Sequence, residues 1–207
     1  GLSQLNVTCI YQDQSGYIWF GTRNGLNKFN GNSFEVYWNH ADNPHSISSN
    51  IINCMAEDSE GNLWVGTENG LNRLDKNKNE FKRYYINQQE NKDKDKNKIT
   101  SLCLDQQGTL WIGAASEGLF AYVPQTDSLK NISAKELKGN WVNDIIEKDN
   151  KLYIASYSKG LLIYDLHQQQ VVRSFQRNSE SLPLPSNRVR KVHVDRKGNI
   201  WLGNDTH

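Results

Sequence analysis

A tandem aromatic motif, a period of 42–48 residues and four β-type segments in each period predict an all-β fold, a β-propeller of four-stranded antiparallel blades. Four copies of the motif read D-x-x-G-x-[IL]-W-x-G. The first is Asp13, Gly16, Trp19 and Gly21; the second is Asp58, Gly61, Trp64 and Gly66. The third is Asp105, Gly108, Trp111 and Gly113, and the last is Asp195, Gly198, Trp201 and Gly203. A degenerate copy runs from Glu147 to Ser156, with Glu147 in place of the Asp, Asn150 of the first Gly, Tyr153 of the Trp and Ala155 of the second Gly. The aromatic positions 19, 64, 111, 153 and 201 are separated by 45, 47, 42 and 48 residues.

Each period carries four short strand signals bounded by turn residues. Strand a precedes the Asp (Val7 to Tyr11, Ile51 to Met55, Ile99 to Leu104, Val142 to Ile146, Val189 to Val194) and strand b holds the Trp. Strand c opens on Gly-Leu (Gly25, Gly70, Gly118 and Gly160), and strand d closes the unit (Phe34 to Tyr37, Phe81 to Tyr85, Leu129 to Ile132, Val171 to Phe175). The resulting blades are 1–38, 46–86, 98–133, 140–176 and an incomplete 187–207, within one partial propeller domain over 1–207. No run of ten residues has helical periodicity.

The motif residues are expected to be structural. Asp-x-x-Gly is a tight a–b turn in which Asp accepts turn amides and Gly supplies a positive φ. The Trp is a broad plate for packing between blades. The second Gly lets strands or blades approach closely. Asn6, Asn50 and Asn187, seven or eight residues before the motif Asp, are read as turn formers.

Composition narrows the function. With 24 basic and 23 acidic side chains the net charge is +1, which argues against a dedicated nucleic-acid surface. Mean hydropathy is −0.76, yet six Trp, nine Tyr and six Phe supply enough apolar area for a packed core. No apolar run reaches the ~20 residues of a membrane span. No stretch reads as a signal peptide, and the start at Gly1 without Met is what processing or trimming leaves. Cys9, Cys54 and Cys103 have no CxxC spacing and are read as buried thiols. No cofactor or metal motif is present. Residues 88–97, QQENKDKDKN, are read as a solvated loop, and Asp93 and Asp95 lack the Gly and distal Glu of a calcium loop.

Gln12 to Phe29, its second copy Glu57 to Leu74, and the link Ser46-Ile-Ser-Ser-Asn50 resemble the two-component regulator propeller repeat. The third copy departs by one extra residue between Gly113 and Gly118, and the fourth is degenerate. The resemblance implies the periplasmic sensor region of a hybrid two-component histidine kinase, in bacteria that degrade polysaccharides. It implies two consecutive propellers of about seven blades each, a homodimeric full-length inner-membrane protein, and an oligosaccharide signal. This chain would be the N-terminal part of the first propeller. None of its five His residues inherits the phosphoacceptor role.

In such a blade the b–c and d–a loops share one end, where a rigid scaffold presents binding residues. Trp38 and Trp141, the two tryptophans outside the motif, are candidate faces for a sugar ring, and Arg23, Glu68 and Tyr157 in the b–c loops are candidate hydrogen-bonding partners. The bland alternative makes Trp141 blade core and Trp38 an edge cover. Catalytic residues are expected to be none. The Asp-to-Gly spacing differs by one from a sialidase Asp-box, and no paired-carboxylate, Gly-x-Ser-x-Gly, HExxH or phosphate-loop pattern is present. A ligand-sensing module is therefore preferred over a propeller enzyme acting on glycans or a protein-interaction scaffold.

Overall fold

The structure is a computed structural model that describes residues 1–87 and 94–205. It consists of antiparallel meanders. Strands β1 (Val7–Gln12), β2 (Ile18–Thr22), β3 (Gly25–Phe29) and β4 (Phe34–Tyr37) form the first sheet in sequential order. The second is β5 (Ile52–Glu57), β6 (Leu63–Thr67), β7 (Gly70–Asp75) and β8 (Glu80–Tyr84). The third is β9 (Ile99–Leu104), β10 (Leu110–Ala114), β11 (Gly118–Val123) and β12 (Ser128–Asn131). The fourth is β13 (Val142–Lys148), β14 (Lys151–Ser156), β15 (Leu161–Asp165) and β16 (Gln170–Phe175), followed by the hairpin β17 (Val189–Val194) and β18 (Ile200–Asn204). Observed strand limits differ from those read in the sequence by at most two residues. The chain divides into two compact units, Gly1–Leu102 and Cys103–His207, the division falling inside β9.

Within each unit, alternation along the strands places an apolar face of one sheet against its neighbour. In the first unit Trp19 and Leu26 pack with Ile47, Ile52, Leu63, Val65, Leu74 and Phe81. In the second, Trp111, Leu119 and Ala121 pack with Val142, Ile145, Leu152, Ile154, Leu162 and Tyr164. Ala155 and Leu161 pack with Val189 and Val192 of the last hairpin. Truncating one of these buried tryptophans would cost about 3–5 kcal/mol.

The a–b turn works as the motif predicts. Gly16 N–H donates to the Asp13 carbonyl at 2.9 Å, with Gly16 at φ +86°, and one Asp13 carboxylate oxygen accepts the Tyr17 amide at 2.9 Å. Gly61, Gly108 and Gly198 repeat the turn: their amides donate to the carbonyls of Asp58, Asp105 and Asp195 at 3.0, 3.0 and 3.1 Å, and all three have positive φ. The second oxygen of the Asp13 carboxylate does something the sequence did not disclose: it accepts the indole N–H of Trp19 at 2.9 Å. The same pair recurs at Asp58–Trp64 (2.7 Å), Asp105–Trp111 (2.8 Å) and Asp195–Trp201 (3.3 Å). The Asp thus ties the turn to the plate that fills the inter-blade space.

The second motif Gly is a close approach in three of the four copies. A Cβ on Gly21 would lie 2.5 Å from Cys9 Sγ and 2.7 Å from Ile52 Cγ2. On Gly66 it would collide with Cys54 Sγ and lie 2.7 Å from Ile99 Cγ2, and on Gly113 it would lie 2.7 Å from Val142 Cγ1.

Four readings change. Gly203, the fourth copy, is not a close approach: the atom nearest to an added Cβ is Lys191 Cβ, at 3.6 Å. No strand of a following sheet packs on it among the described residues. In the degenerate copy, Glu147 pairs with Leu152 as Glu57 pairs with Leu63, so Glu147 occupies the position before the motif Asp. Its hairpin is one residue shorter and turns on Asp149-Asn150, both at positive φ (52° and 58°), so Asn150 does not stand for a motif Gly. The cysteines form no disulfide but are half-buried rather than buried. Burial pushes the Cys103 thiol up to about 11. Within the stretch read as a solvated loop, Lys94–Asn97 is a 3-10 turn, and its Asn97 is buried and accepts the Asn87 amide at 2.9 Å. Residues 88–93, including Asp93, and the side chain of Asp95 lie outside the described residues.

Candidate functional site

Each meander brings its b–c turn and the d–a loop to one end of the sheet, and buried polar groups fix both. The turn glycines Gly16, Gly61, Gly108 and Gly198 lie in the a–b hairpins at the other end, and Gly21, Gly66, Gly113 and Gly203 lie within the b strands. None of the eight lies in a b–c or d–a loop.

In the first unit Asn27 and Asn72, fully buried on β3 and β7, reach back to Ser3 and Ser48: each Asn accepts the Ser amide (2.8 and 2.9 Å) and donates to the Ser hydroxyl (2.9 Å in both). Those hydroxyls meet the buried Thr22 and Thr67 hydroxyls at 3.2 and 3.0 Å. Burying such amides is tolerable because their hydrogen bonds are made inside the protein.

A second device uses the Asn two residues before strand a. Asn50 accepts the Asn39 amide (2.6 Å), Asn97 the Asn87 amide (2.9 Å) and Asn187 the Arg177 amide (2.7 Å). Asn50 and Asn187 also offer their carbonyls to Gly25 and Gly160 at the preceding b–c turn. These asparagines therefore do more than form a turn, since they staple the d–a loop to the blade before it.

The five ligand-binding candidates divide between the units. In the first, Arg23 is exposed in the two-residue b–c turn Arg23-Asn24. Trp38, 42% exposed, lies over Gly25, the residue that follows this turn, with its Nε1 3.1 Å from where a Cβ would sit. Tyr85 covers Gly70 in the same way, so covering this glycine is a repeated role. Glu68 is half-buried and ion-paired with Lys98 at 2.8 Å, which leaves its other carboxylate oxygen buried without a hydrogen-bond partner.

In the second unit the structure brings two candidates together. Trp141 and Tyr157 stack with ring centroids 5.8 Å apart and planes inclined by 36°, and the Tyr157 amide donates to the Trp141 carbonyl at 3.0 Å. Trp141 is 38% exposed, against 0–8% for the motif residues Trp19, Trp64 and Trp111. Next to this pair the buried polar network changes. Phe120 and Leu162 stand where Asn27 and Asn72 stand, and Asn140 instead accepts the hydroxyls of Ser156 (2.8 Å) and Ser158 (3.1 Å). The Asn140 side-chain amide nitrogen is buried with no partner.

Sequence reasoning missed Arg188 and Arg190, whose guanidinium carbons lie 5.0 and 5.6 Å from the Tyr157 ring centre. Nothing in their local sequence signals this, because two strands and a loop separate them from Tyr157 along the chain. The arrangement is an aromatic pair in which two guanidinium groups lie over the Tyr157 ring and Trp141 stays partly exposed.

At the opposite end of the second unit lies a cleft of about 370 Å³ between the third and fourth sheets, lined by Asp105, Gln107, Trp111, Lys130, Tyr164 and His167 among others. The corresponding space of the first unit is bridged by Lys76, which pairs with Asp13 (3.3 Å) and Glu57 (2.7 Å). Leu166 follows the c strand where Lys76 does, so the cleft stays open. Trp111 and Tyr164 are 8% and 4% exposed, which offers little ring face to a ligand. No group of His, Cys, Asp and Glu among the described residues could hold a metal ion.

The family model described as two component regulator propeller matches residues 1–24, 46–69, 94–116 and 183–206. These four segments match the two-component regulator propeller repeat. The extracellular domain of the putative hybrid two component system BT3049 from B. thetaiotaomicron is 29% identical, with a TM-score of 0.79 over 99% of this chain and 28% of that one. The extracellular domain of the putative hybrid two component system BT4673 from the same organism has a TM-score of 0.80 at 22% identity, over 97% of this chain and 26% of that one. Virginiamycin B lyase from Staphylococcus aureus shares the fold alone, at 15% identity and a TM-score of 0.71 over 98% of this chain and 65% of that one. Histidine kinase P4 of Formosa agariphila is 52% identical over 48 residues, which is 23% of this chain and 4% of the relative. The chain thus spans a small part of the length of these kinase and sensor relatives. The fold is that of β-propeller blades, as the repeat predicts.

Proposed function

We propose that this chain is the ligand-sensing propeller portion of an extracytoplasmic sensor region. The whole protein is then a periplasm-facing, homodimeric hybrid histidine kinase and response regulator of the inner membrane that controls polysaccharide use, and its signal is an oligosaccharide. The chain forms blades 1–38, 46–86, 98–133, 140–176 and the start of a fifth in a longer ring of about seven. Support comes from the repeat family and from the extracellular domains to which the chain aligns. The observation that carries the ligand class is the exposed Trp141 stacked on Tyr157 at the loop end of the second unit. Such a surface suits the apolar C–H face of a sugar ring, with polar groups beside it for the hydroxyls. Trp38 with Arg23, and Glu68, are the secondary candidates in the first unit.

Binding alone transmits nothing. The ligand must prefer one of two arrangements of the sensor, and a population shift of the dimer then biases the kinase. The test is titration calorimetry against plant, host and microbial oligosaccharides, with each sample assayed for new reducing ends. Saturable binding without cleavage, abolished in a folded Trp141→Ala/Tyr157→Ala variant, is expected. Cleavage would make the protein a glycan-acting enzyme, and silence across the panel would favour a protein-interaction scaffold.

A further inference from the structure

We propose that the Trp141–Tyr157 platform selects an anionic sugar, one bearing a carboxylate or a sulfate ester, and that Arg188 is the residue that reads the charge. The inference rests on the oligosaccharide reading above and narrows it to a chemical class.

The two arginines beside Tyr157 are not equivalent. Arg190 is already engaged: its Nε and Nη2 both lie 2.7 Å from Asp205 Oδ2. That carboxylate orients the Arg190 guanidinium against the ring and cancels its charge. Arg188 is half-buried, sits nearer the ring centre at 5.0 Å, and makes no ion pair among the described residues. Its backbone amide donates to the Ser186 hydroxyl at 3.1 Å, which holds the start of β17 in place. A guanidinium stacked on an aromatic face spends that face on the ring but keeps its N–H donors in its own plane. Those donors match the paired oxygens of a carboxylate or sulfate. Lys159, exposed in the same turn as Tyr157 and without an ion pair among the described residues, adds a second uncompensated charge.

The position in the repeat supports the assignment. Repeat proteins spend shared residues on stacking, and departures from the repeat mark where other demands act. The first-unit Asn-Ser-Thr network is lost at this point, and a buried donor on Asn140 is left unpaired next to Trp141. A neutral sugar could use the rings but would leave Arg188 without a counter-charge. An acidic sugar uses both.

The experiment compares matched oligosaccharides that differ only in charge: uronate against its carboxyl-reduced form, and sulfated against desulfated. The charged member of at least one pair is expected to bind roughly 10-fold more tightly. That preference should shrink several-fold as salt rises from about 0.05 to 0.5 M. The pair with the larger ratio tells a carboxylate from a sulfate ligand. In Arg188→Gln the ratio is expected to fall to about 2, the remainder coming from Lys159. Arg188→Lys, which keeps a charge but loses the fork, should give an intermediate ratio. The salt series on the unaltered protein provides the same test if Arg188→Gln does not fold. Equal or tighter binding of the neutral members overturns the charge selection and leaves the oligosaccharide reading standing. An unchanged ratio in a folded Arg188→Gln overturns the role of Arg188. Failure of every member to bind overturns both readings.

Discussion

Gly21→Ala places a methyl group where the structure has no room for one. Its Cβ would sit 2.5 Å from Cys9 Sγ, opposite it in the β1–β2 hairpin, and 2.7 Å from Cγ2 of Ile52, the first residue of β5. Non-bonded carbon contacts settle near 3.5–4.0 Å, so the methyl overlaps both neighbours by about 1 Å. Cys9 can swing its thiol aside. Ile52 is fully buried against Trp19 and Leu26 and cannot yield without opening the inter-blade core. Overpacking of this kind costs about 2–3 kcal/mol. With a urea m-value of about 2 kcal/mol/M, the unfolding midpoint followed by tryptophan fluorescence should drop by about 1–1.5 M. Gly203 is an internal control. It holds the same motif position in β18, but its nearest neighbour to an added Cβ is Lys191 Cβ at 3.6 Å. Gly203→Ala in the 207-residue chain should therefore stay within about 0.5 kcal/mol of the parent. Adding Cys9→Ala to Gly21→Ala should recover part of the loss, a coupling of about 1 kcal/mol that two independent sites would not have. Equal midpoints for Gly21→Ala and the parent would refute the close-approach role of this glycine.

Lys76→Met removes the cation shared by the buried carboxylates of Asp13 and Glu57, and should cost about 1–3 kcal/mol near pH 7. Paired denaturation curves of the variant and the parent would show it. Desolvation alone would raise the Asp13 carboxyl, but the Trp19 indole, Lys76 and the Tyr17 amide outweigh it and hold it below the usual carboxylate range. Its contribution to stability should thus be complete above the unfolded value of about 4 and vanish as pH falls through the lower folded value. Asp13→Asn should flatten that acid limb, and an unchanged slope would count against the assignment. Asn50→Ala and Asn187→Ala each remove one loop staple, at about 1–2 kcal/mol. The direct readout is faster hydrogen exchange at the amides of Asn39 and Arg177, and retained protection would mean the staples are dispensable.

Much of the architecture was legible because it is local. Asp, Gly and Trp within seven residues set the turn, its positive φ and the plate on the next strand, and the period sets four strands per blade. The same locality explains the readings that failed. Counted back from Tyr153, Glu147 stands where the motif Asp belongs, but the hairpin lost one residue and the strand register moved it one place. Length alone cannot reveal where in a turn a residue was deleted. Gly66 and Gly203 look alike in their motifs, yet only Gly66 has a neighbouring sheet's isoleucine, Ile99, pressed against it.

By itself, the sequence determined the repeat, the all-β class and the position of the loops between strands. Tertiary structure decided which groups meet there. It stacked Trp141 on Tyr157, laid Arg188 over the ring, engaged Arg190 with Asp205 and turned Trp38 onto Gly25. It also joined each motif Asp to its indole. The physical reason is that a turn is fixed by neighbours along the chain, whereas a side chain's partner is fixed by packing. The candidate site is assembled from loops of successive blades, and no pattern within a single loop records that meeting.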